Sequence, residues 1–387
     1  MSIKQIGKNT WKIVVSMGNV NGKYPRICET FKGLKSEALL RESELKKQAK
    51  TGSILINKKM TFEEFSEKWL QEYAKNLAPR TYNEYRKLLK KINTFIGKIP
   101  LCELKPIHLT EYYNKLREIG KETTHSKLDR TELFSGPLSE NTILHHYTLI
   151  GSVLNKAVDW ECLEKNPNNK VPRPRIEKYE PKFYDVEQVQ TLLKCLENEP
   201  LKTQALILLA LDTGARRGEI TGLNWEDVDF EKAYITINKT TQLLNGKIIE
   251  KSPKTKSSIR KVPITLGTVE ILKRYRTELK QKELLLGSKW EKTNKVFTGE
   301  FGGPMYPQTP SDIFRALLNK YNLPKIKFHE LRHTSVSLLI NAGIQTQLIS
   351  KRVGHSSIST TSNIYAHIFN SSEKQVAETM GNLLKAN

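Results

Sequence analysis

Hydrophobic and polar positions divide the chain into differently patterned stretches. In "TWKIVVSM", Trp11, Ile13 and Val15 alternate with Lys12 and Val14, which predicts a half-buried strand. "NVNGKYP" follows with an Asn-Gly turn signal and leads into "RICETF", so the first elements read as a small sheet. Ser36 then opens a charged helical run, "SEALLRESELKKQAK", and "TGSILINKKM" reads as a linker.

A helical pattern begins at Thr61. Thr61 and Glu64 have the spacing of a capping box, and Phe62, Phe65, Trp69 and Tyr73 fall on one helical face. "APRTYNEYRKLLKKINTFIG" predicts a second helix, with Pro79 near its start and Thr81 with Glu84 as a second capping box. "HLTEYYNKLREIG" and "SENTILHHYTLIGSVLNKAVDW" supply two more, separated by a polar loop, "KETTHSKLDRTELFSGP". "NPNNKVPRPRIEKYEP" carries prolines at 167, 172, 174 and 181 and marks the main domain boundary, because prolines this dense stiffen an extended connection. Beyond it, "DVEQVQTLLKCLEN" and "LKTQALILLALDTG" are helical. "AYITIN", "KIIEKS" and "IRKVPIT" predict one short sheet, with turns at Asn245-Gly246 and Ser257-Ser258. Helices return from about Gly267.

Charge changes this picture from a generic fold to a class of partner. Lys and Arg number 63 against 41 Asp and Glu, a net charge of +22. Such an excess costs self-repulsion and points to a polyanion, nucleic acid before an anionic membrane. A lysine-rich protein with no such partner is the plainer alternative. The cysteines, Cys28, Cys102, Cys162 and Cys195, form no CxxC pair, so no zinc or other metal site and no redox dithiol is expected. No stretch resembles a signal peptide, and the densest apolar run, "ALILLALDTG", is too short to span a bilayer. The expected setting is a reducing, cytoplasmic one in which the protein acts on DNA.

Four short pieces of the last region carry chemistry. They are "TGARRGEI" (213–220), "SPKTKSSIRKVPI" (252–264), "HELRHT" (329–334) and "VGHSSISTTSNIYAHIF" (353–369). Singly, each fits a structural role: Arg216 in a capping ion pair, Lys254 or Lys256 solvated on a hairpin, His329 and Arg332 paired on a helix, His355 and Tyr365 buried. Together they supply what metal-free phosphodiester chemistry requires. A tyrosine hydroxyl is an oxygen nucleophile able to form a covalent phosphoester. Two arginines, Arg216 and Arg332, can clamp the non-bridging oxygens with charged forks. A hairpin lysine can protonate the leaving 5′-oxygen, and histidines can donate to phosphate or manage the tyrosine proton. His329 and Arg332, three apart, project from one helical face, and Glu219 follows Arg216 by three and can orient it. Arg217 and His333 adjoin these groups but point elsewhere, as DNA-backbone or structural residues.

The ordered set T-G-x-R-x-x-E, H-x-L-R-H-T and G-H-S-S-x-x-x-T-T-x-x-x-Y resembles the tyrosine recombinase (integrase) family, from roughly Asp185 onward. The amino-terminal part resembles, in architecture, the integrases of temperate phages, conjugative transposons and integrative conjugative elements of Gram-positive bacteria. The resemblance implies a multidomain fold, mainly α with small β-sheets. An arm-type DNA-binding sheet-plus-helix domain would span residues 1–55, and a helical, SAM-like core-binding domain 60–168. A linker would span 169–184, and an α+β catalytic domain 185–387. It further implies Tyr365 as the nucleophile that joins a DNA 3′-phosphate and releases a 5′-hydroxyl. Arg216 and Arg332 would be the phosphate clamp, His329 and His355 the two histidines, and Lys254, in preference to Lys256, the lysine. No cofactor is needed, because the phosphotyrosine bond conserves the energy of the broken phosphodiester. The implied partners are double-stranded DNA at core and arm-type sites, a homo-tetramer that passes through a Holliday junction, and an accessory DNA-bending or excision-directing protein. The tail stripe of Val376, Met380, Leu383 and Leu384 suits docking on a neighbouring protomer or on its own domain. A type IB topoisomerase, or a catalytically silent DNA-binding regulator, are the competing readings. The amino-terminal sheet unit and the terminal helix disfavour the first, and the complete residue set the second.

Overall fold

The computed structural model describes residues 3–16, 26–50, 60–120, 136–176, 181–251 and 259–354, with 380, 381 and 384; the side chains of 27 and 47–50 are excepted. The Asn-Gly turn of "NVNGKYP", the Ser257-Ser258 turn, most of "TGSILINKKM" and most of the polar loop after Gly120 lie outside these residues. The chain divides into two compact units, Met1–Lys178 and Tyr179–Asn387.

The first unit begins with an antiparallel sheet in the order β1 (Ile3–Gly7), β2 (Thr10–Ser16), β3 (Arg26–Lys32). The alternation in β2 sends Ile13 and Val15 into a small core with Leu45 of helix α1 (Lys35–Lys50). Trp11 is half-buried, and its indole donates to the Gly33 carbonyl at 3.0 Å. Arg41 of α1 pairs with Glu29 of β3 at 2.9 Å. The other face is basic: Lys12 lies opposite both Lys4 and Thr30, with Arg26 and Lys32 further along β3, all exposed.

Four helices follow, α2 (Phe62–Glu72), α3 (Pro79–Ile96), α4 (Pro106–Ile119) and α5 (Glu140–Asp159). The Thr61–Glu64 capping box forms, with bonds of 2.8 and 3.2 Å. Phe62, Phe65 and Trp69 are fully buried, but Tyr73 caps the helix and stays 39% exposed. Its ring lies 5.5 Å from Trp69 and carries the Lys156 ammonium at 4.9 Å. The second capping box does not form. Pro79, with φ preset and no N–H to satisfy, takes the first helical position, so Thr81 lies inside α3 and Ala78 is the cap. A short 3-10 turn, Pro167–Lys170, packs back on this unit: Asn168 accepts from Tyr113 at 2.7 Å and Val171 enters the helical core.

One buried histidine gives this unit a pH dependence. His146 bonds the Tyr112 hydroxyl at 2.7 Å. Burial, with help from Lys91 and His145, lowers its pKa to about 4. The unfolded chain therefore takes up this proton first as pH falls. The resulting stabilisation is complete above about 6.5 and is lost toward pH 4, roughly 3 kcal/mol in all. In urea unfolding at a series of pH values, His146→Gln should flatten this part of the profile; an unchanged slope would assign the loss to other groups.

The second unit is built around α7 (Leu201–Thr213), preceded by α6 (Val186–Leu196). Ala205, Leu206, Ile207, Leu209 and Ala210 are all buried, as expected of a helix apolar on most sides. A short helix, α8 (Arg217–Gly222), leads to the sheet β4 (Val228–Asp229), β5 (Tyr234–Ile237) and β8 (Arg260–Pro263), which is antiparallel. The hairpin of β6 (Thr240–Leu244) and β7 (Lys247–Lys251) is a separate sheet, so the single sheet expected from sequence is two. Asn245 and Gly246 both have positive φ, 50° and 78°, the geometry that returns a two-residue hairpin. That turn joins β7 to "TTQLL", a strand the alternation did not reveal. The hairpin lies close on α8 because Gly218 leaves room: a Cβ there would sit 2.5 Å from Thr240 Oγ1. Helices α9 (Leu266–Leu286), α10 (Thr309–Lys320), α11 (Glu330–Asn341) and α12 (Thr346–Val353) follow. Among the described residues no helix is long and apolar enough to cross a membrane.

Candidate active site

The second unit brings four of the sequence-predicted groups to one place. Arg216 is the N-cap of α8, held by two bonds that it donates to one carboxylate: its backbone N–H to Glu219 Oε2 at 2.9 Å and its Nη1 to Oε1 at 3.0 Å. Its Nη2 reaches the Gly354 carbonyl at 3.3 Å. Arg332, in the first turn of α11 and 4% exposed, donates through Nη1 to the carbonyls of Gly214 and Val353, both at 2.7 Å. The two guanidinium groups thus meet at the end of α12, on consecutive carbonyls, immediately before His355.

His329 caps α11 and its ring lies edge-on to His333, centroids 5.3 Å apart. The ring reaches solvent, yet the protein around it partly desolvates it. That desolvation, then the charges of Arg332 and Arg216, keep its pKa below the usual histidine value. His329 is therefore neutral at neutral pH in the free protein. His333 is lowered to about 4, by burial first and then by His329 and Arg332. Arg217 turns away and ties α8 to α10, with Nη1 on Gln308 at 2.6 Å and Ser311 at 2.8 Å. Lys254, Lys256, His355 and Tyr365 lie outside the described residues.

Glu219 is the hub. Burial pushes its carboxyl pKa up, but the bond and charge of Arg260, with those of Arg216, outweigh this and hold it below the usual carboxylate range. Arg260 is a partner that the sequence reading missed. It is 8% exposed and pairs with Glu219 at 2.8 Å. The available signal was its place on β8, where it shares the buried face with Val262. Also missed was Arg352, which donates to the Asp212 carbonyl at 2.8 Å and carboxylate at 3.0 Å. The other Asp212 oxygen accepts from Thr265 N at 2.7 Å and Thr268 Oγ1 at 2.8 Å, so one carboxylate joins α7, α9 and α12. Gly354 has φ +69°, and a Cβ there would meet Arg260 Nη1 at 2.8 Å. Among the described residues no group of three or more His, Cys, Asp or Glu is placed to hold a metal ion.

A cluster of permanently charged forks, an orienting carboxylate and a neutral imidazole can bind and polarise a phosphodiester. Comparison with known proteins assigns the chain to a family. Residues 182–372 match the model described as the phage integrase family, and residues 61–117 match its N-terminal SAM-like domain. A protein of Caldanaerobacter subterraneus, described as a XerC-like tyrosine recombinase, is 30% identical, with 97% of each chain covered. The chain belongs to the phage integrase family of tyrosine recombinases. As such it is a site-specific recombinase, an enzyme. The ICEBs1 integrase of Bacillus subtilis is 26% identical over 99% of this chain and 100% of its own. In fold, the recombinase resembles the Tn1549 transposon integrase solved with a circular intermediate DNA. The TM-score is 0.66 at 23% identity, with 83% of this chain and 99% of that one covered.

Proposed function

We propose that this recombinase integrates and excises a mobile element by cutting and rejoining double-stranded DNA through a 3′-phosphotyrosine intermediate. The observation that supports it most is the convergence of Arg216 and Arg332 on the carbonyls of Gly354 and Val353, with Glu219 behind one and His329 beside the other. A phosphate placed there meets two permanent charges at the entrance to the segment that carries His355 and Tyr365. Tyr365 oxygen attacks phosphorus, the P–O5′ bond breaks, and the 5′-oxygen leaves with a proton from Lys254 or Lys256. The tyrosine proton passes to His329, His355 or water. Four protomers exchange strands in two steps through a Holliday junction. The helical domain of residues 60–168 grips the core site. The exposed Lys4, Lys12, Arg26 and Lys32 face of the first sheet binds arm-type sites. Met380 and Leu384, 57% and 75% exposed, suit a tail that docks on a neighbour. An accessory DNA-bending or excision-directing protein biases the direction.

The test uses nicked duplexes from the ends of the element that encodes the chain. Wild type should give a protein–DNA band stable to denaturation, linked to a 3′-phosphate, and should exchange strands between two duplexes. Relaxation of a supercoiled closed-circular plasmid, assayed alongside, without exchange between the duplexes would favour a topoisomerase; binding without any adduct would favour a regulator. Binding itself should be salt-steep, because each neutralised phosphate releases counterions. The dissociation constant should rise on the order of a thousandfold between about 50 and 200 mM salt. A flat profile in fluorescence anisotropy would contradict a phosphate-dominated interface.

A further inference from the structure

We propose that Arg260 is a positioning residue for strand cleavage: by sharing the Glu219 carboxylate with Arg216, it keeps the Arg216 guanidinium placed, and its charge only partly neutralised, for the scissile phosphate. The inference rests on the recombinase reading of Arg216.

The geometry accounts for every nitrogen of the Arg260 guanidinium. Nε donates to the Arg352 carbonyl at 2.9 Å, Nη2 to Glu219 Oε2 at 2.8 Å and Nη1 to Oε1 at 3.4 Å. Arg216 uses the same two oxygens, its Nη1 on Oε1 and its backbone N–H on Oε2. Two cations therefore share one carboxylate, and the cluster carries a net positive charge. Arg260 is 8% exposed, whereas the Arg216 side chain is 43% exposed. Only Arg216 can present that charge to a ligand; Arg260 acts from behind.

Removing Arg260 leaves a buried carboxylate with Arg216 as its one remaining arginine. The carboxylate then competes with the phosphate for the same fork, and the local charge falls from positive to zero. A buried charge left with half its partners draws the other half in. Lysine at position 260 restores the charge but not the three-way fork. The ring of contacts also explains the glycine that follows α12, since a Cβ at Gly354 would press on Arg260 Nη1 and Cζ at 2.8 and 3.0 Å.

The experiment measures single-turnover adduct formation on the nicked duplex beside equilibrium DNA binding. Full-length wild type, Arg260→Ala, Arg260→Lys, Glu219→Gln and the Arg260→Ala/Glu219→Gln double variant are compared. Arg260→Ala should cleave about ten- to a hundredfold more slowly, the loss expected of a residue that orients a reacting group without touching the substrate, while binding DNA within about threefold of wild type. Arg260→Lys should recover part of the rate. The double variant should cleave no more slowly than Arg260→Ala alone, because without the carboxylate charge there is nothing left for Arg260 to share. A role limited to bracing β8 against α12 would instead make the two losses add, and that result overturns the proposal. So does wild-type cleavage by Arg260→Ala, or an equal loss of binding and cleavage. If Arg260→Ala does not fold, the Arg260→Lys and Arg260→Lys/Glu219→Gln pair carries the same additivity test. Arg216→Ala is the control for the underlying reading: wild-type cleavage by that variant defeats the clamp itself, whatever Arg260 does.

Discussion

Replacing Arg332 by lysine is expected to slow strand cleavage by about two to three orders of magnitude, the cost of removing one preorganised donor from a developing negative charge. Its Nη1 alone holds the Gly214 and Val353 carbonyls, each at 2.7 Å. Gly214 follows the last residue of α7, and Val353 is the last residue of α12. Both carbonyls belong to helix ends, where the final C=O groups lack intrahelical donors and the dipole is negative. One guanidinium therefore closes two helices and fixes the point at which the chain leaves for His355. A lysine ammonium carries the charge but cannot keep this planar fork against both carbonyls and a phosphate together. A buried carbonyl left without its donor costs about 1–3 kcal/mol, so the melting temperature should fall as well. The two effects separate by measurement. Single-turnover cleavage well below the unfolding transition reports the clamp, and calorimetry reports the helix ends. Wild-type cleavage by Arg332→Lys would remove Arg332 from the reaction.

The parts of this site legible in the sequence are those set by near neighbours. His329 caps the helix whose first turn carries Arg332 three residues on, and Glu219 reaches back to Arg216 over the same spacing. The Thr61–Glu64 box and the buried Phe62, Phe65 and Trp69 follow from the same local geometry. Where a local rule failed, another local rule had prevailed: Pro79 claimed the helix start ahead of Thr81. What the sequence did not disclose are partners brought together by tertiary folding. Arg260 lies 41 residues from Glu219, and Arg352 lies 140 from Asp212. No periodicity links such positions, because their approach depends on how α8 meets β8 and how α7 meets α12. The strand Thr240–Leu244 was hidden for a related reason. Its burial comes from contact with α8 at Gly218 and Gly222, not from an apolar face of its own.

Tyr365→Phe is expected to abolish the covalent adduct while leaving DNA binding unchanged within about twofold, since one hydroxyl is lost and no phosphate-binding charge is touched. Four of the other tyrosines are unsuited to this role. Tyr112 and Tyr113 are buried, their hydroxyls are committed to His146 and Asn168, and burial drives both pKa values up. Tyr275 is buried and likewise raised, and Tyr184 is pushed up to about 12 by burial. A hydroxyl so desolvated is a poor source of the phenolate character that attack on phosphorus requires. Tyr365 instead follows Gly354 by eleven residues in sequence, and Gly354 offers its carbonyl to Arg216. A tether of that length spans up to about 36 Å when extended, ample to bring the ring to the clamp. Phenylalanine keeps the ring and deletes the oxygen, so the variant should form the noncovalent complex on a native gel and give no band on a denaturing one. An adduct that persists in Tyr365→Phe, mapped by digestion to another residue, would assign the nucleophile elsewhere. Loss of binding together with the adduct would make the Tyr365 hydroxyl a contact that the noncovalent complex needs.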